Sequence, residues 1–416
     1  MASTWRRVAV YPLILKRKGA RGTMRSPQTV LETLRKHAQE TQYQYERLYR
    51  NLYNPQFYLL AYQNLYANKG SMTPGADGKT ISGMGMKRIE DLVKKIRDRS
   101  YQPHPARRQY IPKKSGNGLR PLGIPSADDK LVQEAVRMIL ESIYEPNFKQ
   151  TSHGFRPNRS CHTALAQIQR TFTGVSWFVE GDIKGCFDNI DHHILIDILK
   201  RRIKDEAFID LIWKLLRAGY LEDWMKHQTY SGTPQGSGVS PLLANIYMNE
   251  LDQFMEEYRG RFNKGDKRRF SNAYVNANHH YARAKARNAK KWELMNEEER
   301  ENARIMQKEL QTTLLSTPSR DQMDPNYRRI VYVRYADDFL IGVIGSKTDA
   351  EQVKTDVGDF LKQNLNLTMS PEKTLITHGH DKARFLGYDI TINQNQSTKK
   401  TKGGTKRTYN SRVVLL

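Results

Sequence analysis

The chain has 416 residues, with 68 Lys plus Arg against 44 Asp plus Glu, a formal net charge of +24 and a sequence pI near 9.8. Two cysteines, Cys161 and Cys186, exclude a disulfide framework or a Cys-rich zinc module, and no apolar run approaches the roughly 18–20 residues of a membrane span. So basic a chain, with 22 Tyr, suits a polyanionic partner: Lys and Arg displace counterions from phosphates, and aromatic rings stack on bases.

Residues 1–24 are expected to be a basic leader, with a short apolar patch (Val8 to Leu15) interrupted by Tyr11 and Pro12. That patch is too short for an export signal, so a cytoplasmic setting is expected, with Met24 as the natural start. Ser26 followed by Pro27 predicts a helix start, and the amphipathic pattern runs to Tyr62 with a break at Asn54-Pro55. After the loop Thr73-Pro74-Gly75-Ala76-Asp77-Gly78, a helix is predicted from Met86 to about Arg99. Tyr101 to Pro125 reads as a two-stranded basic ribbon turning at Ser115 to Gly118. Leu131 to Tyr144 is a further amphipathic helix.

The middle of the chain alternates short strands with helices. Trp177 to Gly181 is an apolar strand, Ile190 to Ile203 a helix, and Pro241 to Phe254 a helix with proline in its first turn. Arg259 to Arg328 breaks this rhythm as a charged, apolar-poor helical insertion. Its Lys267, Arg268, Arg269, Arg283, Lys285 and Arg287 are candidate RNA-binding residues, since basic side chains without an apolar face meet phosphates more readily than a core. Arg329 to Ile344 is a β-hairpin around Ala336-Asp337-Asp338, and Ala350 to Leu361 a helix. Ser397 to Arg407 is a basic hairpin or loop. Strands flanked by long helices, with antiparallel pairing at a hairpin, predict an α+β sheet domain.

Asp337 and Asp338 put two adjacent carboxylates at the tip of an apolar hairpin, costly unless a cation sits there. Asp182 ends another apolar strand. If the strands pair, three carboxylates converge as two-metal nucleotidyl transfer requires. Phe187, five residues beyond Asp182, has the spacing to lie beneath an incoming sugar and clash with a 2′-hydroxyl, with a buried core residue as the competing reading. The glycine-rich turn Gly232 to Gly238 opens a helix and favours an anion or a nucleotide–template pair. Lys113 and Arg120 stand on the two limbs of the basic ribbon, spaced to clamp a triphosphate.

The order of these blocks resembles the reverse transcriptases encoded in bacterial group II introns, which are also splicing maturases. The resemblance rests on Thr73 to Gly78, Ile111-Pro112-Lys113-Lys114 with Arg120 to Pro125, and His153 to Ser160. It continues through Asp182 to Asp191, the Pro234-Gln235-Gly236 block, Tyr335 to Asp338, Leu367 to Lys373 and Phe385 to Tyr388. It implies right-hand polymerase fingers and palm with a mainly antiparallel palm sheet. The implied division is an N-terminal helical extension (25–100), fingers (101–175), palm (176–258 and 329–395) split by the insertion (259–328), and a basic tail (396–416) where a thumb would start. The chain is expected to end before that thumb.

The resemblance further implies that Asp182, Asp337, Asp338 and the Ile183 carbonyl hold two Mg²⁺ ions, with Mn²⁺ as a substitute. Lys113, Arg120, Phe187 and Gln235 would contact the nucleotide, and Arg156 and Arg159 would face template or dNTP. The implied partners are dNTPs, an RNA template with DNA primer, group II intron RNA and target DNA. Two function classes stay open on the sequence: an RNA-directed DNA polymerase, and a polymerase-inactive maturase fragment or relic that holds intron RNA.

Overall fold

Local signals set the N-terminal helices. Ser26 caps α1 (Pro27–Ala38), its Oγ accepting from the Thr29 N–H at 3.2 Å, and Asn54 caps α2 (Pro55–Tyr66) through the Gln56 N–H. α3 (Met86–Arg97) buries Ile89, Leu92, Val93 and Ile96 on one face. This computed structural model describes residues 24–416 except 69, 113–117, 223–224, 228–230, 233–235, 322–323 and 402–403. The expected leader up to residue 23, Lys113 and Gln235 lie outside the described residues. The first predicted helix ends early, at Ala38. Tyr45 pairs instead with Ile203, its N–H donating to the Arg202 carbonyl and its carbonyl accepting from Lys204, both at 2.8 Å. That long-range pairing outweighs local helix propensity.

The basic ribbon is present as β1 (Ala106–Pro112) and β2 (Leu119–Ile124), antiparallel with Ile111 opposite Arg120. α4 (Ala127–Tyr144) starts at Ala127 rather than Leu131, because the Ser126 Oγ accepts from the Asp129 N–H and two acids occupy its first turn. α5 (Cys161–Thr171), β3 (Trp177–Gly181), the short α6 (Cys186–Asn189), α7 (His192–Lys200) and α8 (Glu206–Leu216) follow. β4 (Tyr220–Glu222) and β5 (Met225–His227) extend the ribbon into a sheet of order β2-β1-β4-β5, with β1 and β4 parallel.

α9 (Ser240–Phe262) runs past the predicted end at Phe254, since Met255 and Phe262 are still buried. α10 (Asn272–Lys291) and α11 (Glu297–Ser316) pack on each other as the predicted insertion. Of their residues only Ala284 and Asn288 are buried among those described. Paired backbone bonds between Lys264 and Arg328 close its base. α10 carries the basic residues, whereas the first turn of α11 is acidic (Glu297, Glu298, Glu299).

β6 (Arg329–Tyr335), β7 (Asp338–Ile344), α12 (Lys347–Leu365), β8 (Leu375–His378) and β9 (Ala383–Phe385) complete the central domain. β10 (Tyr388–Thr401) and β11 (Gly404–Leu415) form a hairpin much longer than the predicted tail. The central sheet has order β6-β7-β3-β8 with every neighbour antiparallel, as expected of the palm. Strand alternation gives it two buried faces. Val179, Ile341 and Val343 enter the main core, whereas Phe178, Val333 and Leu340 enter a second core with α5 and the β9–β11 sheet. A sheet covered on both sides fixes its strand ends firmly.

Candidate active site

Because β7 pairs with β3, the end of β3 and the β6–β7 turn fall at one edge of the sheet. Gly181 stands opposite Phe339, and a Cβ on Gly181 would lie 2.0 Å from the Phe339 ring, so only glycine lets the strands close here. Asp182 follows at the strand end. Ala336 and Asp337 form the two-residue turn between Tyr335 and Asp338, with Ala336 at φ +58°. Ile183 faces Met369 as a non-hydrogen-bonded pair: Ser370 donates to the Asp182 carbonyl and Lys184 to that of Thr368. The Ile183 carbonyl therefore points away from that segment.

The three carboxylates share one electrostatic field. Burial, then the Asp337 and Asp182 charges, push Asp338 up to about 7; Lys373 opposes, and a hydrogen bond with Asp182 adds to the rise. Asp337 is also raised, chiefly by burial and then by Asp182, with Arg120 and Lys373 pulling the other way. The Lys373 ammonium lies 3.2 and 3.1 Å from the two Asp182 oxygens. Among the described residues, no three His, Cys, Asp or Glu side chains already form a metal cage, and Asp182 is drawn onto Lys373 instead. The donor chemistry still fits a hard divalent cation: carboxylate oxygens plus a carbonyl, with part of the repulsion offset by the Lys373 ammonium.

The other expected contacts divide. Arg120 is exposed on β2 and its charge reaches Asp337. Phe187 sits on α6, half-buried against the main core, five residues beyond Asp182. Beside the undescribed Gln235, Gly236 has φ +104° and a Cβ there would lie 2.4 Å from the Gly123 carbonyl, which docks this loop on the basic ribbon. Arg156 is corrected: its guanidinium is buried on Glu145 and the Lys149 and Ser152 carbonyls rather than turned to a template. Arg159 is tied to the Gln150 carbonyl at 2.9 Å.

The comparisons with known proteins bear on this geometry. The reverse transcriptase (RNA-dependent DNA polymerase) family matches residues 111–275 and 304–390, a span that includes all three carboxylates. The group II intron-encoded protein LtrA of Lactococcus lactis subsp. cremoris is 46% identical over 94% of this chain and 65% of its own length. The putative COX1/OXI3 intron 1 protein of Saccharomyces cerevisiae is 40% identical over 86% of this chain and 41% of its own. Protein YkfC of Escherichia coli is 33% identical over 83% of each chain. The chain belongs to the reverse transcriptase family. It spans somewhat less than two-thirds of LtrA. Membership implies dependence on a divalent metal in general. Among the described residues, no helix is long and apolar enough to cross a membrane.

The structure also shows residues near the carboxylates that the sequence pattern does not assign to the site. Arg334, fully buried, donates to both Asp252 oxygens at 2.8 and 2.6 Å, to Ser152 Oγ at 2.8 Å and to the Ala336 carbonyl at 2.7 Å. The Tyr332 hydroxyl donates to the same Asp252 at 2.9 Å. This buried pair clamps the acidic turn from beneath. Its signal was available: Ile330, Tyr332 and Arg334 alternate on one face of an apolar strand, so an arginine there needs a buried partner. Lys373 gave no such signal, because its role depends on the fold bringing it to Asp182. Of the candidate RNA-binding residues, Lys267, Arg268 and Arg269 lie at the base of the insertion. Arg269 pairs with Asp321 at 2.8 Å and Arg268 stacks on Tyr327. Arg283, Lys285 and Arg287 are exposed along α10.

Proposed function

We propose that this chain is an RNA-directed DNA polymerase of a mobile group II intron, adding dNTPs to a DNA primer on an RNA template. The observation that carries the reading is the convergence of Asp182, Asp337 and Asp338 at the adjoining ends of β3 and β7, with Asp338 pushed up to about 7 by burial and by the other two charges. Asp182, Asp337, Asp338 and the Ile183 carbonyl are the groups that would hold two Mg²⁺ (or Mn²⁺) ions, which supply charge stabilisation to an attacking 3′-oxygen and a leaving pyrophosphate. The protein's own parts do the rest. Arg120, with Lys113, binds the triphosphate; Phe187 excludes a ribose 2′-hydroxyl; Gln235 contacts the nucleotide or template; the buried Arg334–Asp252 pair keeps the acidic turn in place.

In this reading residues 101–175 are fingers, 176–258 and 329–395 palm, and 25–100 an N-terminal extension. The exposed bases of α10, with Lys267, Arg268 and Arg269, face intron RNA for splicing and for insertion into target DNA, in a cytoplasmic ribonucleoprotein. The test is incorporation of dTTP on poly(rA)·oligo(dT) with Mg²⁺, set beside binding of a group II intron RNA in EDTA. Incorporation that EDTA abolishes, with RNA binding that EDTA leaves intact, supports both halves. RNA binding without incorporation leaves the maturase half alone standing.

A further inference from the structure

The turn from Ser152 to Arg156 is held unusually firmly, and one residue in it has an unexplained cost. His153 donates to the Arg334 carbonyl at 2.9 Å and Arg334 to that of Thr151 at 2.8 Å, which ties the turn to β6 just before the acidic tip. Gly154 presses on that tip: a Cβ on it would lie 2.3 Å from the Ala336 nitrogen. Asn245 donates to the Gly154 carbonyl at 2.7 Å and accepts from Arg334 at 3.2 Å, so one buried network holds both turns. On the far side Arg156 anchors the chain to Glu145.

Between these anchors Phe155 adopts φ +56°, a region that disfavours a bulky L residue, and leaves its side chain 56% exposed. An apolar ring in strained backbone and in solvent is doubly unfavourable, and such strain clusters where function imposes it. The ring meets that of Phe187 edge-to-face at 6.1 Å between centroids and 85° between planes. Phe187 lies on α6, whose N-terminal Gly185 is itself left-handed at φ +55°. Phe155 thus links the acidic turn, through Gly154, to the aromatic that stands beside it.

We infer that Phe155 is a positioning residue for sugar selection: it buttresses the Phe187 ring and fixes its distance from the acidic turn, so that a nucleotide bearing a 2′-hydroxyl is rejected. This rests on the reading of Phe187 as the sugar filter. The buttress acts through Phe187, whose ring Phe155 meets edge-to-face.

The experiment measures kcat/KM for a ribonucleotide relative to its deoxyribonucleotide in single-nucleotide addition. The variants are Phe155→Gly, Phe155→Tyr, Phe187→Ala and the Phe155→Gly/Phe187→Ala pair. Glycine suits φ +56°, so Phe155→Gly relaxes the backbone and a folding failure is not expected. Phe155→Gly should raise the ribonucleotide ratio roughly three- to tenfold, the scale of one edge-to-face ring contact. Phe155→Tyr should keep the parent ratio, and the double variant should match Phe187→Ala alone. If Phe155→Gly gains stability with an unchanged ratio while Phe187→Ala raises it, the inference is overturned and Phe155 is merely a strained surface ring. Multiplying effects in the double variant also overturn it, since Phe155 would then meet the nucleotide independently. An unchanged ratio in Phe187→Ala, or a parent chain that adds no dNTP, overturns the underlying reading instead.

Discussion

Asp338→Asn gives the most quantitative check on the charge account of the acidic tip. The Asp338 carboxyl is pushed from 3.8 in an unfolded chain up to about 7, first by burial, then by Asp337 and Asp182. The folded state therefore binds the proton more tightly than the unfolded one. The stability this confers is complete below about pH 4, declines as pH rises toward 7 and is gone above it. At 1.36 kcal/mol per unit the shift corresponds to at most about 4 kcal/mol. Partial exposure reduces this, and about 2 kcal/mol is the working value. Asparagine cannot ionise, so in EDTA at pH 8 the variant should be more stable than the parent by that amount. For a chain of this length unfolding as one unit, that is a rise in Tm of about 2–3 °C. Calorimetry of both proteins from pH 3 to 8.5 measures it, with the gap widening from near zero at the acid end. A variant less stable than the parent at pH 8, or a gap that does not change with pH, would refute the reasoning.

Other outcomes follow from the same structure. Phe187→Ala should admit ribonucleotides mainly through a lower KM for them, read in steady-state addition assays, whereas an unchanged ratio with loss of stability would mark the ring as core. Asp252→Asn leaves Arg334 buried without its counter-charge and should cost about 3–5 kcal/mol in chemical denaturation; a loss under 1 kcal/mol would remove the clamp from the account. Changing Lys267, Arg268 and Arg269 together to Ala should flatten the log–log salt dependence of intron RNA binding by about two to three units. An unaltered slope would make the insertion base a solvated surface.

Much of the central sheet was legible because its strands are short apolar runs bounded by acids and turn residues: Trp177 to Gly181 and Arg329 to Ile344 fall where the pattern puts them. Capped helices were legible for the same local reason, although α4 and α12 begin earlier than their apolar pattern because Ser126 and Ser346 cap them first. What was not legible depends on partners distant in sequence. Tyr45 leaves a helical pattern to pair with Ile203, Arg156 turns inward to Glu145, and Lys373 reaches Asp182 only once β8 joins β3. The strain at Phe155 has no signature in residue type at all, since phenylalanine gives no warning of positive φ.

The claim at the centre is that Asp182, Asp337 and Asp338 act together in nucleotide addition, and the most direct measurement is a single-turnover rate for one dNTP on a saturating RNA template–DNA primer with Mg²⁺, for the parent and for Asp337→Asn. An amide cannot supply a carboxylate's charge to a divalent cation, and lost charge stabilisation of this kind costs on the order of a thousandfold in rate. The parent should add the nucleotide and the variant should fall by at least about that factor, with thermal stability in EDTA equal to or above the parent's. Addition by Asp337→Asn at a rate close to the parent's would contradict it.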